Sequence, residues 1–239
     1  MATAISESEL AATIDHAILK PELTRAEVDA ELDVAAQWGV FSVCVRPSDV
    51  AHAVARLSGS PVAVGTVIGF PHGTTSTAAK VCETRQAIED GAAELDMVIN
   101  VGWLRSGLDD EVGEDIRRVV QAAEGRVTKT ILETSLLDEE QIVRACRLAE
   151  QAGASFVKTS TGFAGGGATA PHVALMRAAV GPDVQVKASG GVRGLDTALA
   201  MLSAGATRLG TSASATILGE LRARRSGAQP TGVTDATSY

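Results

Sequence analysis

The sequence is poor in aromatic residues and short of positive charge. Aromatic residues make up 3% of the 239-residue chain, and the formal net charge is -8 at pH 7. The chain therefore lacks the basic surface and the stacking platforms that nucleic acids require, and we expect no nucleic-acid partner. An anionic substrate would be repelled at long range, so a site for one must gather its own cations and backbone N–H groups.

Cysteines and long apolar runs are also scarce. The three cysteines, Cys44, Cys82 and Cys146, are widely separated, which argues against a disulfide framework or a zinc knuckle and favours a reducing compartment. The N-terminal residues lack the positive and apolar segments of a secretory signal, and no run approaches the roughly 18 apolar residues of a membrane span. We expect a soluble cytoplasmic protein with no membrane partner.

Metal-ligand spacing is missing as well. The four histidines, at positions 16, 52, 72 and 172, form no ligand pattern, and His52 and His172 fall in predicted helices. We expect no metal. Cys44 stands late in a predicted strand, where a small buried apolar residue is the expected role.

The chain does contain a regular alternation of short apolar runs with Ala-rich, charged segments of helical period, which is typical of β-α units. Eight runs predict strands, at residues 12–19, 41–45, 62–70, 94–100, 127–134, 155–160, 184–189 and 207–212. A predicted helix follows each, at residues 24–39, 47–59, 75–92, 109–125, 138–154, 170–181, 194–206 and 213–225. Eight such units predict a single (β/α)8 TIM barrel, whose usual length is roughly 250 residues.

The predicted helix ends carry the expected chemistry. Thr24 with Glu27, and Asp138, are predicted N-terminal caps, while Gly39 is a predicted stop. We assign residues 1–222 to one catalytic barrel domain and residues 223–239, rich in Gly, Pro, Ser and Thr, to a flexible tail. The alternative is a doubly wound open sheet, which the absence of GxGxxG after the first strand disfavours.

Two lysines end consecutive apolar strands. Lys158 follows SFV and Lys187 follows VQV, and barrel active sites lie at this end of the strands. If both side chains point inward, about 4.8 Å between neighbouring strands brings two ammonium groups together, and one should be neutral near pH 7. A neutral lysine is a nucleophile that forms Schiff bases with carbonyl substrates. The alternative is that both lysines point outward as solubilising charges.

Two acids occupy comparable positions. Asp96 lies late in ELDMVIN and Asp15 lies in TIDHAIL. An inward carboxylate beside two lysines would be both an ion partner and a proton carrier. A purely structural buried ion pair is the alternative for either acid.

The last two predicted strands lead into helices through Ser189-Gly190-Gly191 and Gly210-Thr211-Ser212. Gly-rich turns at helix N-termini present free N–H groups to anions, and barrels often bind phosphate after strands seven and eight. The sequence therefore predicts a phosphate site at these two loops.

Eight blocks together, TIDHAILKP, SVCVRPSDV, VGTVIGFPHG, ELDMVINVG, KTILETSLL, FVKTSTGF, VKASGGVR and RLGTSA, resemble the bacterial deoxyribose-phosphate aldolases in order and across nearly the whole chain. The resemblance implies reversible cleavage of 2-deoxy-D-ribose 5-phosphate to D-glyceraldehyde 3-phosphate and acetaldehyde, without a cofactor. It implies that Lys158 forms the Schiff base, that Lys187 is the second lysine and that Asp96 relays protons. It also favours a homodimer.

The resemblance places the phosphate on Gly162, Gly190, Gly191, Gly210 and Ser212. Some family members carry a lysine directly after TSTG, where this chain has Phe163. We therefore expect phosphate binding to rest more on backbone N–H groups and Arg193, and phosphate discrimination to be weaker.

Family members often end in a tyrosine that reaches the site and helps to move the C2 proton, and this chain ends in Tyr239, its single tyrosine. Two alternatives remain open at this stage. One is another Schiff-base sugar-phosphate aldolase or a transaldolase, and the other is a non-catalytic phosphosugar-binding barrel.

Overall fold

The computed structural model describes residues 5–227. Eight parallel strands close into a barrel in which each strand pairs with the next along the chain and β1 pairs with β8. The strands are β1 (Ile14–Ile18), β2 (Ser42–Val45), β3 (Ala63–Ile68), β4 (Glu94–Val98), β5 (Val127–Ile131), β6 (Phe156–Lys158), β7 (Gln185–Ser189) and β8 (Arg208–Thr211). The predicted (β/α)8 barrel is confirmed, and the open-sheet alternative is wrong.

Helices cover the outside of the barrel. They are α1 (Glu7–Ala11), α2 (Arg25–Trp38), α3 (Val50–Arg56), α4 (Thr77–Glu89), α5 (Val101–Arg105), α6 (Asp109–Ala122), α7 (Glu139–Gln151), α8 (Ala170–Ala179), α9 (Leu195–Ser203) and α10 (Ser214–Ser226). The sequence pattern does not predict α1 and α5. Each has five residues, little more than one turn, so neither shows a helical period.

The predicted caps are present. Thr24 and Glu27 form a reciprocal capping box at the start of α2, and Asp138 forms one with Gln141 at the start of α7. Gly39 ends α2 with a left-handed backbone at φ 60°, a conformation that favours glycine. Local sequence therefore determines where these helices begin and end.

The structure corrects the predicted domain boundary. Helix α10 continues to Ser226 and ends at Gly227 with φ 69°, so residues 223–226 are helical and do not belong to a tail. The helix predicted at residues 213–225 agrees with α10 to within one residue at each end, so only the tail boundary at residue 223 was wrong. Residues 228–239, which include Tyr239, lie outside the described residues.

Strand alternation divides the barrel into an apolar outer layer and a polar interior. Val186 and Ala188 of β7 are fully buried in the apolar core between barrel and helices, and burial of one large apolar side chain such as valine contributes about 1.5–3 kcal/mol. Lys187, which lies between them in sequence, therefore faces the barrel interior. Within residues 5–227, no helix has the length and apolar character needed to cross a membrane.

Candidate active site

The two predicted lysines meet inside the barrel. Lys158 and Lys187 are partners in the β6–β7 register, and 3% and 1% of their surfaces are exposed. The Nζ atoms of both lysines donate to the same oxygen, Oδ2 of Asp96, at 2.8 Å. The outward-pointing alternative is therefore wrong, and the three residues that the sequence singled out lie in contact.

More charges surround this contact. We call the whole group the interior charge network; it consists of Asp15, Glu94, Asp96, Lys129, Lys158, Lys187 and Arg208, all buried. Asp15 Oδ2 lies 2.6 Å from Nζ of Lys187. Nζ of Lys129 lies 2.6 Å from Oε2 of Glu94 and 2.8 Å from Oδ1 of Asp96.

Two aromatic rings lie beside Arg208 at the lower end of the network. The Nη1 atom of Arg208 donates to Oδ1 of Asp15 at 2.7 Å and to Oε2 of Glu94 at 3.3 Å. The guanidinium carbon lies 3.6 Å from the ring centre of Phe41 and 5.4 Å from that of Phe156. Cation–π contact holds the arginine between these rings at the N-terminal ends of the strands.

Sequence reasoning missed Lys129 and Arg208 as members of the site. A signal for Lys129 is present, because VTKTI places this lysine at the centre of a predicted strand, on the same face as Val127 and Ile131. Arg208 carries a weaker signal, since it opens its strand and a first residue can equally point to solvent.

The interior charge network does not shift the pKa values of its three lysines in the same direction. Burial opposes the charge of Lys187, but the carboxylates of Asp15 and Asp96 outweigh it and raise the pKa of Lys187. Burial likewise opposes the charge of Lys129, and Asp96 leads the carboxylates that raise its pKa. Both lysines therefore stay protonated at neutral pH.

The pKa of Lys158 shifts in the opposite direction. Burial lowers its pKa, Asp96 offsets only part of that effect, and the ammonium of Lys187 lowers it further. Of the three interior lysines, Lys158 is thus the one that most readily becomes a neutral amine, the form that attacks carbonyl carbons.

The acids remain ionised. Burial alone would raise the pKa of Asp96, but the ammonium groups of Lys129, Lys158 and Lys187 hold it well below the usual range. The pKa of Asp15 is lowered in the same way, since Lys187, Lys129 and Arg208 outweigh its burial. Asp96 is therefore ionised in the resting site, where the ammonium groups share its negative charge.

Cys44 faces the same pocket but does not compete as a nucleophile. Burial, with the nearby Asp96 carboxylate, raises the pKa of the Cys44 thiol to about 11. A thiol is a poor nucleophile unless it ionises. The expectation of a small buried residue is confirmed, since 4% of Cys44 is exposed.

The pocket above the lysines is narrow, with a volume of about 30 Å³. Its wall includes Lys158, Lys187 and four of the predicted phosphate residues, Gly190, Gly191, Gly210 and Ser212. Through Gly191 it adjoins a Gly-rich groove of about 400 Å³, lined by Gly162, Gly165, Gly166, Gly167, Gly191 and Arg193. The structure thus places all six predicted phosphate residues in the walls of these two adjoining cavities.

Part of the Gly-rich groove is too tight for a side chain. A Cβ atom on Gly167 would lie 2.4 Å from the carbonyl oxygen of Gly190, and Gly190 itself has φ 84°. Here backbone packs directly against backbone, and a glycine-lined groove lets an anion such as a phosphate approach main-chain N–H groups.

Glu133 is a further residue that sequence reasoning missed. It is 3% exposed, has a left-handed backbone at φ 58°, and its Oε2 atom accepts from both N–H and Oγ1 of Thr161, at 3.1 and 2.5 Å. Thr161 lines the lysine pocket, so Glu133 fixes the loop that carries Gly162. A left-handed glutamate has no recognisable sequence signal.

Histidines take no part in the site. The His16 ring bonds Ser214 Oγ at 2.8 Å and Glu31 Oε2 at 2.9 Å, between β1, α2 and α10. Across residues 5–227, no group of three or more His, Cys, Asp or Glu residues is arranged to hold a metal ion.

Known proteins share this sequence and architecture. Residues 9–222 match the family described as DeoC/LacD family aldolase. Deoxyribose-phosphate aldolase 1 of Staphylococcus aureus strain MRSA252 is 56% identical over 210 residues, which cover 88% of this chain and 96% of that protein. The tetrameric deoxyribose phosphate aldolase of Aeropyrum pernix superposes with a TM-score of 0.84 at 30% identity, over 92% of this chain and 93% of that one.

Proposed function

This chain belongs to the DeoC/LacD family of aldolases, and we propose that it reversibly cleaves 2-deoxy-D-ribose 5-phosphate to D-glyceraldehyde 3-phosphate and acetaldehyde. The catalytic intermediate is a Schiff base on Lys158. One observation carries the proposal: Lys158 and Lys187 donate to a single oxygen of Asp96, and the pKa of Lys158 alone of this pair is lowered.

A count of charges supports Lys158 as the neutral amine. The interior charge network contains three carboxylates and four basic groups, so it is balanced when one basic group is neutral. Lys187 has ion pairs to Asp15 and Asp96, whereas Lys158 has one, to the oxygen that Lys187 also uses. Buried charge without its own partner is costly, so Lys158 is the group that gives up its proton.

In the proposed reaction, Nζ of Lys158 attacks C1 of the substrate aldehyde, and loss of water gives an iminium ion. The C3 hydroxyl passes its proton, through a water held by Asp96 and Lys187, to the Asp96 carboxylate. The C2–C3 bond then breaks, its electron pair enters the iminium to form an enamine, and glyceraldehyde 3-phosphate leaves. Protonation at C2 and hydrolysis release acetaldehyde and restore the amine.

Asp15 has a positioning role in this proposal. Its carboxylate lies 2.6 Å from Lys187 and accepts hydrogen bonds from Ser42 and Arg208 at 2.7 Å. These contacts keep Lys187 protonated and fix its ammonium group beside Asp96. Lys187 is then available as the acid that protonates the C1 oxygen of the substrate, first on attack by Lys158 and then as this oxygen leaves as water.

The substrate phosphate is proposed to bind where the lysine pocket meets the Gly-rich groove, against backbone N–H groups of Gly162, Gly190, Gly191 and Gly210, with Ser212 and Arg193. Support comes from the groove's place beside the lysine pocket and from its lining, which is glycine apart from Arg193. Tyr239 is proposed to reach the site and assist proton transfer at C2.

A homodimer in the cytoplasm completes the proposal. The three cysteines are all free thiols, which supports a reducing compartment. Sedimentation equilibrium measures the oligomeric state, and sedimentation as a monomer would contradict the dimer.

The decisive experiment is borohydride trapping with acetaldehyde, followed by peptide mapping. Wild-type protein should carry the reduced two-carbon adduct on Lys158, Lys187→Met should keep it, and Lys158→Met should lose it. Arg105→Met is the control, because Arg105 is exposed and its loss removes one positive charge at a position outside the pocket. Lys80→Met is unsuitable, because Lys80 donates a hydrogen bond to the buried carboxylate of Asp115. An adduct on Lys187 would exchange the two roles, and no adduct with phosphosugar still bound would identify a binding barrel.

A further inference from the structure

The site opens outward in two directions. One is the Gly-rich groove, which adjoins the lysine pocket at Gly191. The other is a pocket of about 250 Å³ lined by Leu19, Pro21, Arg46, Pro47, Val67, Phe70, Pro71 and Phe163, which we call the apolar branch. It adjoins the lysine pocket at Leu19, which lines both.

The wall between the lysines and the apolar branch is continuous. Leu19, Cys44 and Val67 form a small buried cluster of their own, with Phe70 packed against it. Leu19 and Cys44 line the lysine pocket, while Val67 and Phe70 line the apolar branch. An unbroken apolar surface therefore leads from the reacting centre to the second opening.

Phe163 stands where the two openings divide. It follows Gly162 of the Gly-rich groove, and its N–H donates to Oγ1 of Thr161 at 3.0 Å. Its ring meets the Phe70 ring edge to face, with 5.2 Å between ring centres, and 39% of Phe163 is exposed. The aromatic pair thus presents a fixed, partly open apolar face beside the site.

The one charged residue that lines the apolar branch is held by protein groups. Nε of Arg46 donates to Asp49 at 2.6 Å, and Nη1 donates to the carbonyl oxygens of Lys20, Pro21 and Leu23 at 3.1 Å. This arginine therefore serves the loops around it, and the pocket's surface is suited to hydrocarbon rather than to an anion.

We infer that the apolar branch is a second acceptor subsite, which binds the hydrocarbon tail of unphosphorylated aldehydes. The inference rests on the proposed aldolase function. In the synthetic direction, acetaldehyde forms the enamine on Lys158, and its C2 bonds to the acceptor's carbonyl carbon. The acceptor oxygen takes up a proton, and hydrolysis of the iminium releases a 3-hydroxyaldehyde. In this reaction a phosphorylated acceptor places its tail in the Gly-rich groove, and a hydrocarbon acceptor places its tail in the apolar branch.

The test is an acceptor series from propanal to hexanal with acetaldehyde as donor. Each added methylene that enters an apolar pocket should raise kcat/KM about fourfold until the branch is filled. Phe163→Ala should flatten this slope, and its loss of kcat/KM for hexanal should exceed its change for glyceraldehyde 3-phosphate by about tenfold. Phe163 is partly exposed, so the variant is expected to fold.

Leu108→Ala is the matched control, because 39% of Leu108 is also exposed and it lies at the start of α6, outside the walls of both openings. It should keep the wild-type slope. Every preparation is also assayed for cleavage of deoxyribose 5-phosphate, so that failure of the proposed function shows itself separately. A flat series in wild-type protein that cleaves this substrate, or an equal slope in Phe163→Ala, overturns the subsite.

Discussion

The Cβ atom that Gly210 lacks would lie 3.0 Å from Cε of Lys187. It would also lie 2.8 Å from Cβ of Ser189, and both distances are shorter than the roughly 3.5–4.0 Å of carbon contacts. Gly210 therefore gives Lys187 the space in which its ammonium group reaches Asp96. Packing around Lys187 thus favours glycine at position 210, apart from the phosphate-binding role proposed for it.

Gly210→Ala should displace Lys187 and lower kcat about a hundredfold, because small misplacements of catalytic groups have effects of that size. Gly219→Ala is the matched control, since a Cβ atom added at this position of α10 would have nothing within 4 Å of it. Steady-state kinetics and thermal unfolding of both variants make the comparison. Unchanged kcat in Gly210→Ala would show that Lys187 tolerates the displacement.

The lowered pKa of Asp96 makes the free energy of unfolding depend on pH in the acid range. Because the folded state holds this carboxylate in its ionised form more strongly than the unfolded state does, its contribution is present above about pH 4 and is lost as pH falls below that value. Asp96→Asn should therefore reduce the acid dependence of the free energy of unfolding. It should also destabilise the protein at pH 7 by about 3–5 kcal/mol, since three ammonium groups lose a shared partner. Urea unfolding between about pH 3 and pH 7 measures both effects.

Asp196→Asn serves as the control for this titration. Asp196 pairs with Arg224 at the surface, where 84% of its side chain is exposed, and exposed pairs contribute about 1 kcal/mol or less. Equal acid dependence in wild type and Asp96→Asn would mean that other groups dominate the loss of stability.

Phe163→Lys should restore a direct cation beside Gly162 of the Gly-rich groove. We expect a higher ratio of kcat/KM for deoxyribose 5-phosphate over unphosphorylated deoxyribose, by about tenfold for one charge-assisted contact. Leu108→Lys adds the same charge at a position of equal exposure and should leave the ratio unchanged. If both variants have the wild-type ratio, the lack of a lysine at position 163 does not weaken phosphate discrimination.

Glu133→Ala should leave the Thr161 N–H buried without its acceptor, at a cost of about 1–3 kcal/mol in stability. It should also raise KM for the phosphorylated substrate more than it changes kcat, since it loosens the loop that carries Gly162. Glu133→Gln keeps an acceptor oxygen and should retain most of both properties. Glu124→Ala is the matched control, because Glu124 also has a left-handed backbone, at φ 52°, but is exposed.

Removal of Tyr239 should slow exchange of the C2 proton more than it weakens substrate binding. Proton NMR of acetaldehyde in deuterium oxide measures the exchange, and KM reports on binding. Tyr239→Phe separates the hydroxyl from the rest of the side chain. Exchange at the wild-type rate in both variants would remove Tyr239 from the proposed mechanism.

Much of the fold was predictable because β-α alternation is a local property. Strand periodicity placed Lys158, Lys187 and Asp96 each on the opposite face from an apolar neighbour, but it left open whether that face was the barrel interior. The height of each side chain along the barrel axis was not predictable. Which side chains meet across a barrel depends on the register of all eight strands, so contact between Asp96 and two lysines from other strands was not readable from any one segment.

The missed residues follow the same rule. Arg208 reaches Glu94 across the barrel, a contact between β8 and β4 that are not neighbours in the sheet. Glu133 adopts a backbone conformation that depends on the loops packed around it rather than on its own side chain.

Arg208 lies against Phe41 and Phe156 at the N-terminal ends of the strands, whereas the lysine pocket is lined by residues at the opposite ends. Under the proposed function, substrate and solvent both reach Lys158 from that side, so a bound substrate also restricts water. Isotope from the solvent should then enter free acetaldehyde faster than it enters the same carbon during cleavage of bound deoxyribose phosphate. The isotopic composition of the product would thereby record how far the bound substrate keeps solvent from the reacting carbon.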